Sequence, residues 1–150
     1  MAALGPRLLR VAGEYAQGTI TWMANAAAVA GHVAPRIRKA ASAAGRPEPR
    51  VVVGLPVAVH EDEAEARAQA AQSFAIYGTL INYQRILALG GVPGPAEAAI
   101  VGDETIVATQ IEALFEAGAT DVWAAPFPVG ADRPASRART RALLQDLARR

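Results

Sequence analysis

Gly5-Pro6-Arg7 is the first place where residue types and spacing suggest chemistry. A glycine ahead of a helix lets an anion approach the backbone. The first helical turn then offers unpaired amide hydrogens and a partial positive charge. Proline suits that turn because its missing N–H would have no partner there, and Arg7 adds a guanidinium for a charge-assisted contact. The closing Gly-Lys-Ser/Thr of a P-loop is absent, so this is not a nucleoside-triphosphate loop. Taken locally, an ordinary turn competes with the anion corner.

A second group consists of Trp22, Asn25, Trp123 and Phe127, each at or just beyond the C-terminal end of a predicted strand. Large aromatic side chains in such places wall apolar pockets or fill cores. Asn25 either offers its amide to a ligand or caps a helix. His32 and His60 are far apart and have no paired-histidine or cysteine motif beside them, so both read as structural. Glu61, Asp62, Glu63 and Glu65 read as a solvated first turn that complements a helix dipole, as do Asp103 and Glu104. No metal set and no Ser-His-Asp arrangement emerges.

The elements that must position these residues alternate along the chain. Leu4-Gly5-Pro6-Arg7 reads as a strand-to-helix corner, with a helix from Pro6 to Ala16. Thr19 to Met23 is a short β-branched and aromatic strand. A helix runs from Asn25 to about Ala44 and is bent by Pro35. Arg50 to Val59 is apolar on both faces, as a helix-covered parallel strand should be, although Pro56 predicts a bend or an unpaired amide there. A long helix follows to about Tyr77, a further helical piece ends near Leu89, and Gly90 to Pro95 is a loop. Asp103 caps the next helix, Thr120 to Ala125 is the last strand, and Pro134 opens the final helix. Three strands separated by full helices imply parallel right-handed crossovers. The fold class is therefore α/β, a single domain over residues 1–150. An open three-stranded sheet leaves its edges exposed, and a second copy covering them as a homodimer is one expected remedy.

Composition narrows the partners. Net charge is +1, so the basic footprint of a nucleic-acid binder is missing. The arginines at 137, 139, 141, 149 and 150 are spread along the last helix as a solvated face. Hydrophobic residues make up 52% and charged residues 19%, near ordinary globular values. With no cysteine, disulfide and thiolate chemistry is excluded, which fits a reducing compartment. No signal-peptide pattern and no run of membrane-spanning length stand out, so the expectation is a soluble cytoplasmic protein without a membrane partner.

Several pieces, in order, resemble the C-terminal half of a luciferase-like flavin- or deazaflavin-dependent oxidoreductase. They are Ala3-Leu4-Gly5-Pro6-Arg7 with Ala12-Gly13-Glu14, then Gly18-Thr19-Ile20, Val101-Gly102-Asp103-Glu104, and Ala117-Gly118-Ala119-Thr120-Asp121 followed by Trp123-Ala124-Ala125-Pro126-Phe127. The wording is most similar to the actinobacterial branch that uses deazaflavin coenzyme F420. The resemblance implies a partial TIM (β/α)8 barrel with parallel strands corresponding to strands six to eight and Met1 at the end of strand five. Active sites collect at the C-terminal face of such a barrel. It further implies that Gly5, Pro6 and Arg7 help hold the cofactor phosphate, while Trp22, Asn25, Trp123 and Phe127 line the substrate pocket for a small organic substrate. Three functions follow as expectations. The first is F420-dependent hydride transfer, with the 150 residues inactive alone. The second is an FMN-dependent monooxygenase. The third is a non-catalytic half-barrel that self-associates.

Overall fold

A computed structural model describes residues 1–149, so Arg150 of the closing arginine series lies outside the described residues. The core of the fold is a four-stranded parallel sheet: β1 (Gly18–Trp22), β2 (Arg50–Val59), β3 (Ile100–Gly102) and β4 (Asp121–Pro126). Helix α1 (Pro6–Tyr15) precedes β1, and Ala2 adds a single parallel bridge to Ile20 on the outer edge of β1. The expected strand-to-helix corner at Leu4-Gly5 is therefore present.

β2 is the central strand and carries three partners. Val53 pairs with Thr21 of β1 and Val122 of β4, and Val57 pairs with Ile100 of β3 and Pro126 of β4. β4 thus occupies one edge of β2, while β1 and then β3 share the other. The three-strand expectation missed β3.

Pro56 does not break β2, which runs unbroken from Arg50 to Val59. In a parallel strand the amide and carbonyl of one residue face the same neighbour. Gly54 accepts from Met23 on the β1 edge, whereas Val57 accepts from Phe127 on the β4 edge. Even-numbered residues of β2 therefore face the β1/β3 edge. Pro56 falls in the gap after β1 ends, opposite Gly54, and before β3 begins, opposite Val57. The missing N–H costs no ladder bond.

The helix after β1 departs from regularity near Pro35, as expected, but by a π-turn rather than a break. Three elements run on continuously: α2 (Ala26–Ala28), a π-helical turn (Val29–Val33) and α3 (Ala34–Ala43). Ala34 donates to the carbonyl of Val29, five residues back. Proline cannot bond the carbonyl four residues behind it, and Arg36 donates to that carbonyl of Gly31 at 3.2 Å. The wider turn carries His32 into the interior, where it is only 5% exposed.

In the crossover after β2 the helix expected to reach about Tyr77 stops at Ser73, and the expected further helical piece does end at Leu89. The crossover divides into α4 (Glu63–Ser73), a 3-10 turn (Ala75–Gly78), α5 (Ile81–Leu89) and α6 (Pro95–Ala98) ahead of β3. α7 (Glu104–Glu116) and α8 (Arg133–Leu147) flank β4. The odd-numbered valines of β2 and Leu55 form the main core with Leu9, Val29, Val33, Ile37, Val107 and Leu114, all buried. That layer hides the helical stripes and leaves the even-numbered face of β2 to the aromatic residues.

Candidate functional site

The helix-start corner is open. Gly5 is the N-cap of α1 in an ordinary extended conformation (φ −78°, ψ 155°), and no side chain caps the helix. A Cβ added at Gly5 would meet nothing within 4 Å. The backbone therefore does not require glycine here. What glycine provides is free space above the Arg7 and Leu8 amides, which precede the first intrahelical bond from Leu9 to Gly5. His32 steadies the corner from behind: its Nε2 lies 2.8 Å from the Leu4 carbonyl, which can only accept, so Nε2 donates.

Beside this corner lies an aromatic wall built by register. Trp22, Gly54 and Trp123 are aligned across β1, β2 and β4. Gly54 lacks a side chain, so the two indoles meet above it with centroids 5.2 Å apart and planes tilted by 40°. Edge-on contacts extend the wall, from Trp22 to Tyr77 at 5.8 Å and to Phe74 at 6.2 Å, and from Tyr77 to Tyr83 at 4.8 Å. Such pairs add to the burial term by about 0.5–1.5 kcal/mol each. A cavity of ≈ 360 Å³ is lined by Leu4, Gly5, Leu8, Ile20, Trp22, Tyr83 and Trp123 among others. Trp123 is 51% exposed, so the wall is accessible. Burial, and then the neighbouring Tyr77, push the Tyr83 phenol above its ordinary pKa.

The structure brings Gly5, Trp22 and Trp123 to one cavity. Pro6 lines an adjoining cavity of ≈ 350 Å³ that shares Leu4, Gly5 and Asn82 with the first. Arg7 is exposed and lines neither. Asn25 is committed elsewhere: its Oδ1 accepts from Ala28 as the cap of α2, and its Nδ2 donates to the Gly90 carbonyl at 3.0 Å. Phe127 is buried in a small core with Ala58, Ala66, Ala70 and Val101, with Phe74 edge-on at 5.5 Å. Tyr83, Asn82 and Arg85 were not singled out by sequence for this site. They arrive on α5 from a distant part of the chain, and no local motif marks them.

The ion pairs lie away from both cavities. Arg50 and Asp121 pair at the N-terminal ends of β2 and β4, opposite to the end where Trp22 lies. Hydrogen bonds from Arg139 to Glu104 at 2.6 and 2.8 Å tie α8 to α7. Among the described residues there is no group of three or more His, Cys, Asp or Glu able to hold a metal ion, and no helix is long and apolar enough to cross a membrane.

Residues 1–121 match the family model described as luciferase-like monooxygenase, and the chain belongs to that family. No curated protein matches it in sequence. Among solved structures it is similar to the coenzyme F420-dependent tetrahydromethanopterin reductase from Methanopyrus kandleri, with 23% identity and a TM-score of 0.65 over 91% of this chain and 47% of that one. It is also similar to an F420-dependent secondary alcohol dehydrogenase in complex with an F420-acetone adduct, with 15% identity and a TM-score of 0.72 over 97% and 47%. A third is the FMN-bound oxygenating constituent of 3,6-diketocamphane monooxygenase from the CAM plasmid of Pseudomonas putida, with 22% identity and a TM-score of 0.59 over 91% and 43%. At these identities the likeness concerns the fold. The chain spans about half the length of each of these structures.

Proposed function

We propose that this chain forms the phosphate corner and one aromatic wall of a flavin-type cofactor site in a hydride-transferring oxidoreductase. On this reading it corresponds to the C-terminal half of a (β/α)8 barrel, with β1, β2 and β4 as strands six to eight. The favoured cofactor is coenzyme F420 and the alternative is FMN, the latter implying a monooxygenase. The observation that carries the reading is the shared cavity, lined by the open helix start at Gly5, by the half-buried Trp22 and by the exposed Trp123.

The donor set fits an anionic arm joined to a flat ring. Uncapped amides and the helix dipole suit the phosphate, and indole faces suit an extended aromatic system. The cofactor, when bound, supplies the hydride chemistry. The chain's own residues bind the anion, orient the ring and exclude water from one side of it. A small organic substrate would share the apolar remainder of the cavity. Catalysis by these 150 residues alone is not part of the proposal.

The two tryptophans of the chain are both in this wall, so intrinsic fluorescence reports on the site without added labels. Titration with F420 and, separately, with FMN is expected to quench that fluorescence saturably, more tightly for F420. Saturable quenching by neither cofactor would refute cofactor binding by this chain, and tighter binding of FMN would reverse the preference.

A second reading is favoured by one further observation. Among the described residues β4 pairs only with β2, and an apolar groove of ≈ 510 Å³ along β4 is lined by Ile111, Phe115, Val122, Leu144 and Leu147 among others. Self-association into a homodimer would cover that groove and the free strand edge. Sedimentation equilibrium checks this, and a stable monomer at all accessible concentrations would contradict it.

A further inference from the structure

We infer that Asn25 is a positioning residue: by bonding Gly90 it holds α5 at a set distance from Trp22 and so fixes the width of the aromatic cavity. The inference rests on the reading of that cavity as a ring site and names the side chain that sets what thickness of ring it admits.

Three observations converge. Asn25 joins segments 65 residues apart, with Nδ2 donating to the Gly90 carbonyl at 3.0 Å while Oδ1 caps α2. The cap needs only an oxygen, which serine would supply as well. The second bond needs a donor of this reach, which the amide provides. Next, Gly90 has an ordinary right-handed backbone (φ −82°, ψ −2°), so its conformation does not call for glycine. A Cβ there would strike Oδ1 of Asn25 and lie 2.8 Å from its Cγ and 3.0 Å from its Nδ2. Those three nearest atoms all belong to Asn25, so the missing side chain makes room for that one amide. Last, the turn between Trp22 and Asn25 is strained. Met23 is fully buried and holds φ 65° without being glycine, a conformation that persists only where the surroundings impose it and that recurs at functional sites.

What the bond positions is a cavity wall. α5 supplies Asn82 and Tyr83 to the aromatic cavity, and Asn82, Arg85 and Leu89 to the adjoining one. Tyr83 reaches Trp22 through Tyr77, by edge-on contacts of 4.8 and 5.8 Å. Ile86 and Leu87 sink the middle of α5 into the core. The Asn25 bond therefore sets where the end of the helix lies, not whether the helix forms.

Asn25→Ser keeps the cap and removes the bond to Gly90, and Gly90→Ala displaces the amide without touching the cap. Three readouts are followed on the full chain. Amide hydrogen exchange in α5 is expected to quicken about threefold to tenfold in each variant, in keeping with the loss of one hydrogen bond, while β1 and β2 exchange as in the parent and show that each variant is folded. Acrylamide quenching of tryptophan fluorescence, which needs no cofactor, is expected to rise as the wall moves off Trp22. Whichever of F420 and FMN quenches the parent should bind about threefold to tenfold more weakly, because the wall is no longer preorganised. In the Asn25→Ser background Gly90→Ala should add nothing, since the shorter side chain leaves the methyl its space. Unchanged exchange in α5, or a Gly90→Ala effect as large in Asn25→Ser as in the parent, would overturn the assignment. Faster exchange with unchanged acrylamide quenching would reduce Asn25 to a structural tie and overturn it too. Both changes without quenching by either cofactor would retain the positioning role and remove the cofactor reading. Cofactor affinity equal in parent and variants would do the reverse.

Discussion

Gly54→Ala tests the packing logic of the aromatic wall. A Cβ at this position would lie 2.7 Å from the Thr21 carbonyl oxygen, 2.7 Å from Cε3 of Trp123 and 3.0 Å from Cε3 of Trp22. The Thr21 oxygen belongs to the β1 backbone and cannot swing aside, and Trp22 is pressed between Trp123, Tyr77 and Phe74. Overpacking of this kind costs about 1–3 kcal/mol. Separating the two indoles forfeits about 0.5–1.5 kcal/mol more. Against this, replacing glycine lowers the entropy of the unfolded chain and returns about 0.4–1 kcal/mol. The balance is a loss of about 2 kcal/mol, equivalent to a fall in Tm of roughly 4–8 °C for a chain of this size. Thermal and urea unfolding followed by far-ultraviolet circular dichroism measure the loss. The near-ultraviolet tryptophan signal reports the separation of the rings, and it should weaken in the folded variant. A variant as stable as the parent, with an unchanged near-ultraviolet spectrum, would refute the claim that Gly54 exists to let the tryptophans meet.

Two further outcomes are expected. Gly13→Ala in the interior of α1 would ordinarily stabilise a helix by about 1 kcal/mol, but the new Cβ would lie 2.6 Å from Ala40 Cβ and 2.7 Å from the Ile37 carbonyl oxygen. A net loss of about 1–3 kcal/mol in urea unfolding is expected instead, and a gain would show that α1 and α3 are not in such close contact. Hydrogen bonds from Arg139 hold the Glu104 carboxyl below its ordinary pKa, so its contribution is present above the unfolded value near 4.3 and fades as pH falls through the lower folded value. Glu104 is 45% exposed, which limits the effect to about 1 kcal/mol or less. Between about pH 5 and pH 3 the parent should therefore lose slightly more stability than Glu104→Gln, and parallel stability curves for the two would contradict this.

Much of the site's framework was legible before any coordinates. Gly5-Pro6 marked a helix start because proline and glycine have few backbone options, and the helix does begin at Pro6. Pro35 announced an irregular helix because it removes a donor, although not that a π-turn would absorb the defect. β3 was missed because three residues are too few to show any alternation. Only its pairing with Val57 to Val59 makes it a strand. Of the two readings of Pro56, a bend or an unpaired position, the second holds: β2 is unbroken and Pro56 faces the gap between β1 and β3, a gap that sequence does not place.

The chain's own order of residues determined where α1, β1, β2, α7 and β4 lie to within a residue or two and which segments are apolar enough to be buried. These are local properties, set by backbone stereochemistry and by the period of apolar side chains. Tertiary structure alone decided that Trp22 and Trp123 meet above Gly54 while Phe127 enters a separate core, that Asn25 spends both ends of its amide on a cap and on Gly90, and that Arg85 rather than Arg7 borders the cavity beside Gly5. Each of those outcomes depends on register across the sheet or on how α5 folds back over it, and neither is encoded in a residue's immediate neighbours.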